Sequence, residues 1–252
     1  MAFPRSLIVI PARLASTRLP RKLLLGETGK SVLQHTYESA ARARHPARIL
    51  VAADHDEIAD EVRRFGGQVE MTRIDCASGT DRVAEVAGRH PDYDIVVNVQ
   101  GDEPEIEPDA IDLAVTMLLE SPEAVMSTLA TPIRTREKLD DPACVKVVVD
   151  SGGRAMYFSR SPIPHARTWR DSLLDDNPPH FLQHLGLYAY RREFLLKIAD
   201  LPQSDSEKLE SLEQLRVLSL GYPIRVGIVP AAARGIDTLS DYQAFVNRVR
   251  GH

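Results

Sequence analysis

The stretch VVNVQGDEPEIEP, residues 96–108, begins as an apolar strand and stops in a cluster of acids and prolines. Ile95, Val96, Val97 and Val99 belong inside a protein, whereas Asp102 and Glu103 require water, a cation or a partner. Gly101-Asp102-Glu103-Pro104 is therefore either a plain turn or a strand end that offers a carboxylate to a ligand. The segments around it decide between the two.

Working outward, Leu7–Ile10, Ile49–Ala53 and Val69–Met71 also read as short buried strands. Helical patterns separate them. Lys30–Arg44 is one, and a second starts at Asp54 or Asp56 as cap and stops at Gly66-Gly67. Thr80–Ala87 is a third, and Pro108 opens a fourth that runs to Leu119. Strict alternation of strand and helix predicts an α/β fold, a mainly parallel sheet with helices on both faces. Such sheets bind ligands outside the carboxyl ends of their strands, which puts the loops at 11–22 and 100–104 in one crevice.

The rhythm changes after residue 125. Val125–Ala130, Val145–Val149, Arg154–Phe158 and Leu185–Tyr190 read as strands without long helices between them, and Asp150–Gly153 as a hairpin turn. Residues 160–180 look like an exposed loop. Ser206 is the expected cap of a strong helix with Leu209, Leu212, Leu215 and Leu218 inward and Gly221 at its end. Ile224–Val229 returns to the sheet and Ser240–Arg250 forms the last helix. The expectation is a single domain over 1–252 with a mixed-strand insertion at about 130–190.

At 252 residues and 43% hydrophobic, the chain can bury a full core. A net charge of −5 argues against nucleic acid or anionic membrane as a partner. Cys76 and Cys144 form no ligand-spaced pair, and Leu7–Ile10 is too short for a membrane span, so a cytoplasmic protein is expected.

The chemistry concentrates in PARLASTRLPRKLL, residues 11–24, where Arg13, Arg18, Arg21 and Lys22 occur with no acid. Converging cations after a first parallel strand suit a dense anion such as a triphosphate. The loop is neither a Walker loop nor a G-x-G-x-x-G fingerprint, which argues against a dinucleotide-dependent dehydrogenase.

IPARLASTRLPRKLL (10–24) resembles the nucleotide loop of the sugar-acid cytidylyltransferases. The likeness continues in order through MTRIDCASGTDRVAEV, VVNVQGDEPEI, VKVVVD, AMYFSRSPIP, FLQHLGLYAYRREFL, LESLEQLRVL and GIDTLSDY, nearly the whole chain. FLQHLGLYAY looks closer to the members acting on 3-deoxy-D-manno-octulosonate (Kdo) than to those acting on sialic acid. The resemblance implies a Rossmann-like nucleotidyltransferase fold and activation of Kdo with CTP for lipopolysaccharide synthesis. Activation of an amino-Kdo or a sialic acid is the alternative, and a non-catalytic nucleotide-sugar binder a more remote one. A homodimer through the 130–190 insertion is also implied.

The resemblance further assigns roles. Asp102 and Asp237 would hold magnesium, although Asp237 read alone is a helix cap or Asx turn. Arg13 and Lys22 would neutralise the triphosphate, with Arg18, Arg73, Ser78 and Arg82 also on CTP. Gln100, Arg160, His184, Tyr188, Glu213 and Gln214 would contact the sugar. Glu103 is read as the exit from the strand, pointing away or capping the next helix. Two positions depart from the family pattern: Arg21 stands where a glycine is common, and Cys76 where a histidine is expected.

Overall fold

The computed structural model describes residues 4–251, and in it nine strands join one sheet. The first half is regular. β1 (Ser6–Ala12), β2 (Pro46–Ala53), β3 (Val69–Met71) and β4 (Ile95–Asn98) run parallel in the order β3-β2-β1-β4. They alternate with α1 (Val32–Ala40), α2 (Asp56–Arg64), α3 (Gly79–Arg89) and α4 (Pro108–Glu120). Along β1 the side chains divide by parity: Leu7 and Val9 enter one core, Ile8 and Ile10 the other. All four are essentially inaccessible, so both sheet faces are covered, and each burial stabilises the fold by about 2 kcal/mol.

The second half is mixed. β5 (Met126–Pro132) precedes α5 (Arg136–Asp140), the hairpin β6 (Lys146–Val149) and β7 (Ala155–Ser159), and the long β8 (Leu182–Arg191). Then come α6 (Arg192–Ala199), α7 (Asp205–Glu210), α8 (Gln214–Ser219), β9 (Ile224–Ile228) and α9 (Leu239–Arg250). β8 lies antiparallel between β4 and β5, while β9 joins β5 in parallel. The β6–β7 hairpin hangs off β8 through Lys146–Gln183 and Val147–Leu182. Residues 160–180 are less open than expected: a 3-10 turn at Asp171–Leu174 contributes to a small core with Ile133, Leu139, Cys144 and Phe181.

Two local expectations are corrected. The helix expected from Ser206 is two helices, α7 and α8, and its cap is Ser204, with Glu207 reciprocating. Ser211 breaks it in a left-handed conformation, φ 52°, and Leu209 is left 85% exposed. The reason is buried charge. Glu207 accepts a bidentate pair from Arg216 at 2.8 and 2.6 Å, and nine residues apart the two would face opposite sides of a continuous helix. Second, α2 is capped by His55, whose Nδ1 accepts from the Glu57 amide. Asp54 instead accepts from the Leu14 amide at 2.9 Å, tying the basic loop to the end of β2. The helices in the mixed-strand stretch and after it, α5 and α6, are short, five and eight residues.

The opening stretch ends where the fold concentrates its close approaches. A Cβ on Gly101 would lie 3.1 Å from the Pro11 carbonyl oxygen, a tight contact, so glycine eases the close passage of the end of β4 by that of β1. Thr36 of α1 donates to the Gly101 carbonyl at 2.9 Å and fixes the bend.

Candidate active site

The bend at Gly101 delivers Asp102 to Lys22. The Lys22 ammonium, 15% exposed, makes an ion pair with Asp102, donates to the Ile236 carbonyl at 3.0 Å and reaches Asp237 Oδ1 at 3.2 Å. Arg18 also meets Asp237, at 2.9 Å. The Ile236 amide donates to the Asp102 carbonyl at 2.9 Å, locking together segments more than a hundred residues apart in sequence. Thr238, rather than Asp237, caps α9, in a reciprocal box with Asp241. Asp237 is therefore free to face the cleft. Arg13, Ser16, Arg18, Lys22, Gln100 and Asp102 line a cavity of about 140 Å³ here, so the two predicted loops do share one crevice.

Arg21, the departure from glycine, adopts φ 55°, ψ 28°, the left-handed backbone a glycine would accept freely. Its guanidinium pairs with Glu57 of α2, which fastens the loop from outside.

Beside this centre, Ser78 caps α3 with its hydroxyl on the Asp81 amide, and Asp81 returns the bond. Arg82 is buried and turned inward, donating to Thr72 and to the Arg73 carbonyl and pairing with Asp54 at 3.5 Å. Arg73 is exposed, near Asp75 and Glu85. These three residues form the wall around the N-terminus of α3 and do not touch the Lys22 cluster.

A second group gathers around β8. His184 Nε2 lies 3.0 Å from the Thr128 hydroxyl, with its ring edge-on to Phe158 and near Tyr188. Burial pushes the imidazole down to about 3, so it is neutral and serves as a fixed hydrogen-bonding group. Tyr188 pairs with Asn98 across the sheet, beside Gln100, which donates to the Asn98 side chain. Its phenol is driven up by burial first, then by Glu213 and Glu103. Glu213, just before α8, accepts from Thr80 of α3 at 2.5 Å. Gln214 is 3% exposed, and its Nε2 has no partner among the described residues. A buried donor left open costs about 1–3 kcal/mol, which suits a position kept for a ligand. Arg160 is differently employed. It donates to the carbonyls of Glu210 and Pro142, holding the β7 exit onto α7.

A cavity of about 650 Å³ adjoins the carboxylates rather than the basic loop. Glu103, Ile106, Leu113, His184, Gly186 and Pro230 are among its walls. Glu103 neither caps α4 nor points away. Burial, then the neighbouring Asp102 charge, lift its carboxyl to about 7. Sequence reasoning missed Glu103, Thr80 and Thr128. Only the alternation His184, Tyr188, Tyr190 on one strand could have signalled a polar face there.

Comparison with known proteins agrees with this geometry. The family model described as "Cytidylyltransferase" matches residues 7–224. The chain is 52% identical to the 3-deoxy-manno-octulosonate cytidylyltransferase of Rhodopirellula baltica, over 97% of this chain and 98% of that protein. It is 48% identical to the enzyme of the same name from Syntrophotalea carbinolica, over 96% and 98%. The solved structure of CMP:2-keto-3-deoxy-manno-octonic acid synthetase complexed with CTP superposes with a TM-score of 0.90 at 39% identity, covering 98% of this chain and 99% of that one. A strand end that turns on Gly101 to meet Lys22 thus sits in a chain that belongs to the cytidylyltransferase family, among the 3-deoxy-manno-octulosonate cytidylyltransferases.

Proposed function

We propose that the chain transfers the cytidylyl group of CTP to Kdo, giving CMP-Kdo and pyrophosphate. The observation that carries this reading is the convergence of Lys22, Asp102 and Asp237 beside the neutral polar group of His184, Tyr188 and Gln214. The anomeric oxygen of the sugar acid forms a bond to the α-phosphorus of CTP as the bond to the pyrophosphate oxygen breaks. The hydroxyl proton passes to water or to the released pyrophosphate. Such a transfer depends on alignment and charge neutralisation more than on a protein nucleophile. Arg13, Arg18 and Lys22 supply positive charge on the triphosphate side, and the β8 group orients the sugar.

Magnesium fits this site. Asp102 and Asp237 already share one cation, the Lys22 ammonium, and two carboxylates with remaining positions open to substrate oxygens and water are its usual protein complement. When bound, the ion supplies neutralisation of phosphate charge. Lys22 then has a choice of anions, the carboxylates or the triphosphate, and its reach to both acids supports a role in ordering them. Ser78, Arg73 and Arg82 support the wall on the cytidine side, with Arg82 acting through its hold on Thr72 and Arg73.

The product would feed lipopolysaccharide assembly from the cytoplasm. No helix among the described residues is long and apolar enough to cross a membrane. A homodimer through the 130–190 region is part of the same reading, and sedimentation tests it. The deciding assay is CTP-dependent pyrophosphate release with Kdo, its amino analogue and sialic acid, with and without magnesium. Turnover with Kdo and magnesium is expected. Turnover only with another acid, or none with any, overturns the reading.

A further inference from the structure

The half-buried acids near the cleft have partners, while Glu107 is exposed to solvent: Asp102 has Lys22, Glu105 has Arg248 at 3.0 Å, and Glu213 has Thr80. Glu103 is the exception. Burial and the Asp102 charge act on its carboxyl, which accepts no hydrogen bond from any donor among the described residues. Its backbone is nevertheless pinned on both sides, the Glu103 amide on the Gln100 carbonyl at 3.2 Å and the Ile106 amide on the Glu103 carbonyl at 3.1 Å. The chain thus holds an unpartnered carboxylate in a fixed place, against its desolvation cost.

Two glycines flank it, each at ordinary contact distance. A Cβ on Gly186 would lie 4.0 Å from Glu103 Oε1 and 3.8 Å from Gln100 Cγ, and one on Gly235 would lie 4.0 Å from Glu103 Cγ. Gly186 stands between His184 and Tyr188 on β8, so Glu103 and Gln100 converge on the side-chain-free point of the strand that carries the neutral polar group. The adjoining cavity has Glu103, Glu107 and Asp109 in its walls and no lysine or arginine. Such a wall repels a carboxylate and accepts hydrogen bonds from hydroxyls.

We infer that Glu103 is a specificity-determining residue for the acceptor, its carboxylate accepting hydrogen bonds from hydroxyls of a polyhydroxylated sugar acid. The inference rests on the proposed function and adds an orientation. The hydroxyl-bearing tail of the sugar faces Glu103 and the cavity, and its own carboxylate is turned away. Like charges side by side at Glu103 would otherwise cost binding.

The test is steady-state kinetics of the wild type, Glu103→Gln and Glu103→Ala, with Kdo and with analogues each lacking one tail hydroxyl. Thermal melts of both variants accompany the kinetics, and Glu103→Gln keeps the side chain's shape if the alanine variant melts early. The wild type is expected to disfavour at least one analogue by about tenfold or more in kcat/KM, the size of one charged hydrogen bond. In Glu103→Ala that discrimination collapses to within about twofold, and KM for CTP stays within about twofold of wild type. Discrimination retained in both variants overturns the inference. So does a change confined to the CTP or magnesium dependence, which would move Glu103 to the metal set. A wild type active with CTP but not with Kdo removes the proposed function and the inference together.

Discussion

The two sides of the cleft use opposite physics. Around Lys22, the groups are charged, partly exposed and paired with one another: Arg18 with Asp237, Lys22 with Asp102 and Asp237, Arg21 with Glu57. Around His184 the imidazole and the Gln214 amide are uncharged and buried, with the Glu103 and Glu213 carboxyls nearby, and Gln214 is left unsatisfied. The difference matches two kinds of ligand. A triphosphate needs mobile counter-charge that can be exchanged as phosphate and cation arrive. A sugar needs neutral donors and acceptors fixed in place, because each hydroxyl is only distinguished by geometry. The first side should respond to charge changes, and the second to shape and burial.

The sharpest way to break the comparison is Asp102→Asn. Removing one charge at the exchanging centre should lower kcat by about 10²–10³-fold with the thermal midpoint nearly unchanged. A variant within threefold of wild type in a magnesium-dependent assay would remove Asp102 from the centre.

The neutral side is tested next by pH. His184 has its proton affinity lowered in the folded state, from 6.5 to about 3. Unfolding therefore takes up a proton below pH 6.5, and the stability present above that value is lost as pH falls toward about 3. The expected slope is at most about 1.4 kcal/mol per pH unit in that window and flat above it. Denaturant titrations of wild type and His184→Asn should differ in this slope. Equal slopes would mean that the imidazole is not held neutral.

Gln214→Leu separates binding from stability. Replacing a buried, unsatisfied amide with an apolar group of similar size should leave stability unchanged or raise it by about 1 kcal/mol. It should raise KM for the sugar by about tenfold and leave KM for CTP alone. A rise on CTP instead would place Gln214 on the wrong side of the comparison.

The smallest effect belongs to Arg21→Gly. Relief of the left-handed backbone should gain about 1 kcal/mol, offset in part by glycine's larger unfolded-state entropy and by loss of the exposed Glu57 pair. A loss of more than about 1 kcal/mol would show that the ion pair outweighs the strain.

Much of this was legible along the chain. The continuous apolar runs at Leu7–Ile10 and Ile95–Val99, each followed by a helical pattern, foretold the parallel half, since a strand buried on both faces leaves few alternatives. The cation run Arg13–Lys22 marked one side of the cleft because uncompensated like charge in one loop has few structural uses. The helix after residue 204 was misread for a definite reason. Its leucines have helical spacing, but a buried pair between Glu207 and Arg216 outweighs that spacing and breaks the helix at Ser211. Glu103 was misread as well, since the strand's own sequence does not reveal that Gly186 and Gly235 flank its side chain.

By itself the sequence determined the alternation of strand and helix, the basic loop and the acid at the end of β4, because these depend on periodicity and local charge. The chain's own patterns could not choose Asp237 among 36 acids; the family resemblance named it, and the tertiary structure brings it to Lys22 beside Asp102. The tertiary structure also decided that Glu103 remains unpartnered in the wall of the cleft. The reason is that a contact between residues more than a hundred apart depends on which strands become neighbours in the sheet. That order follows from burying both faces of the whole sheet and is written in no single segment.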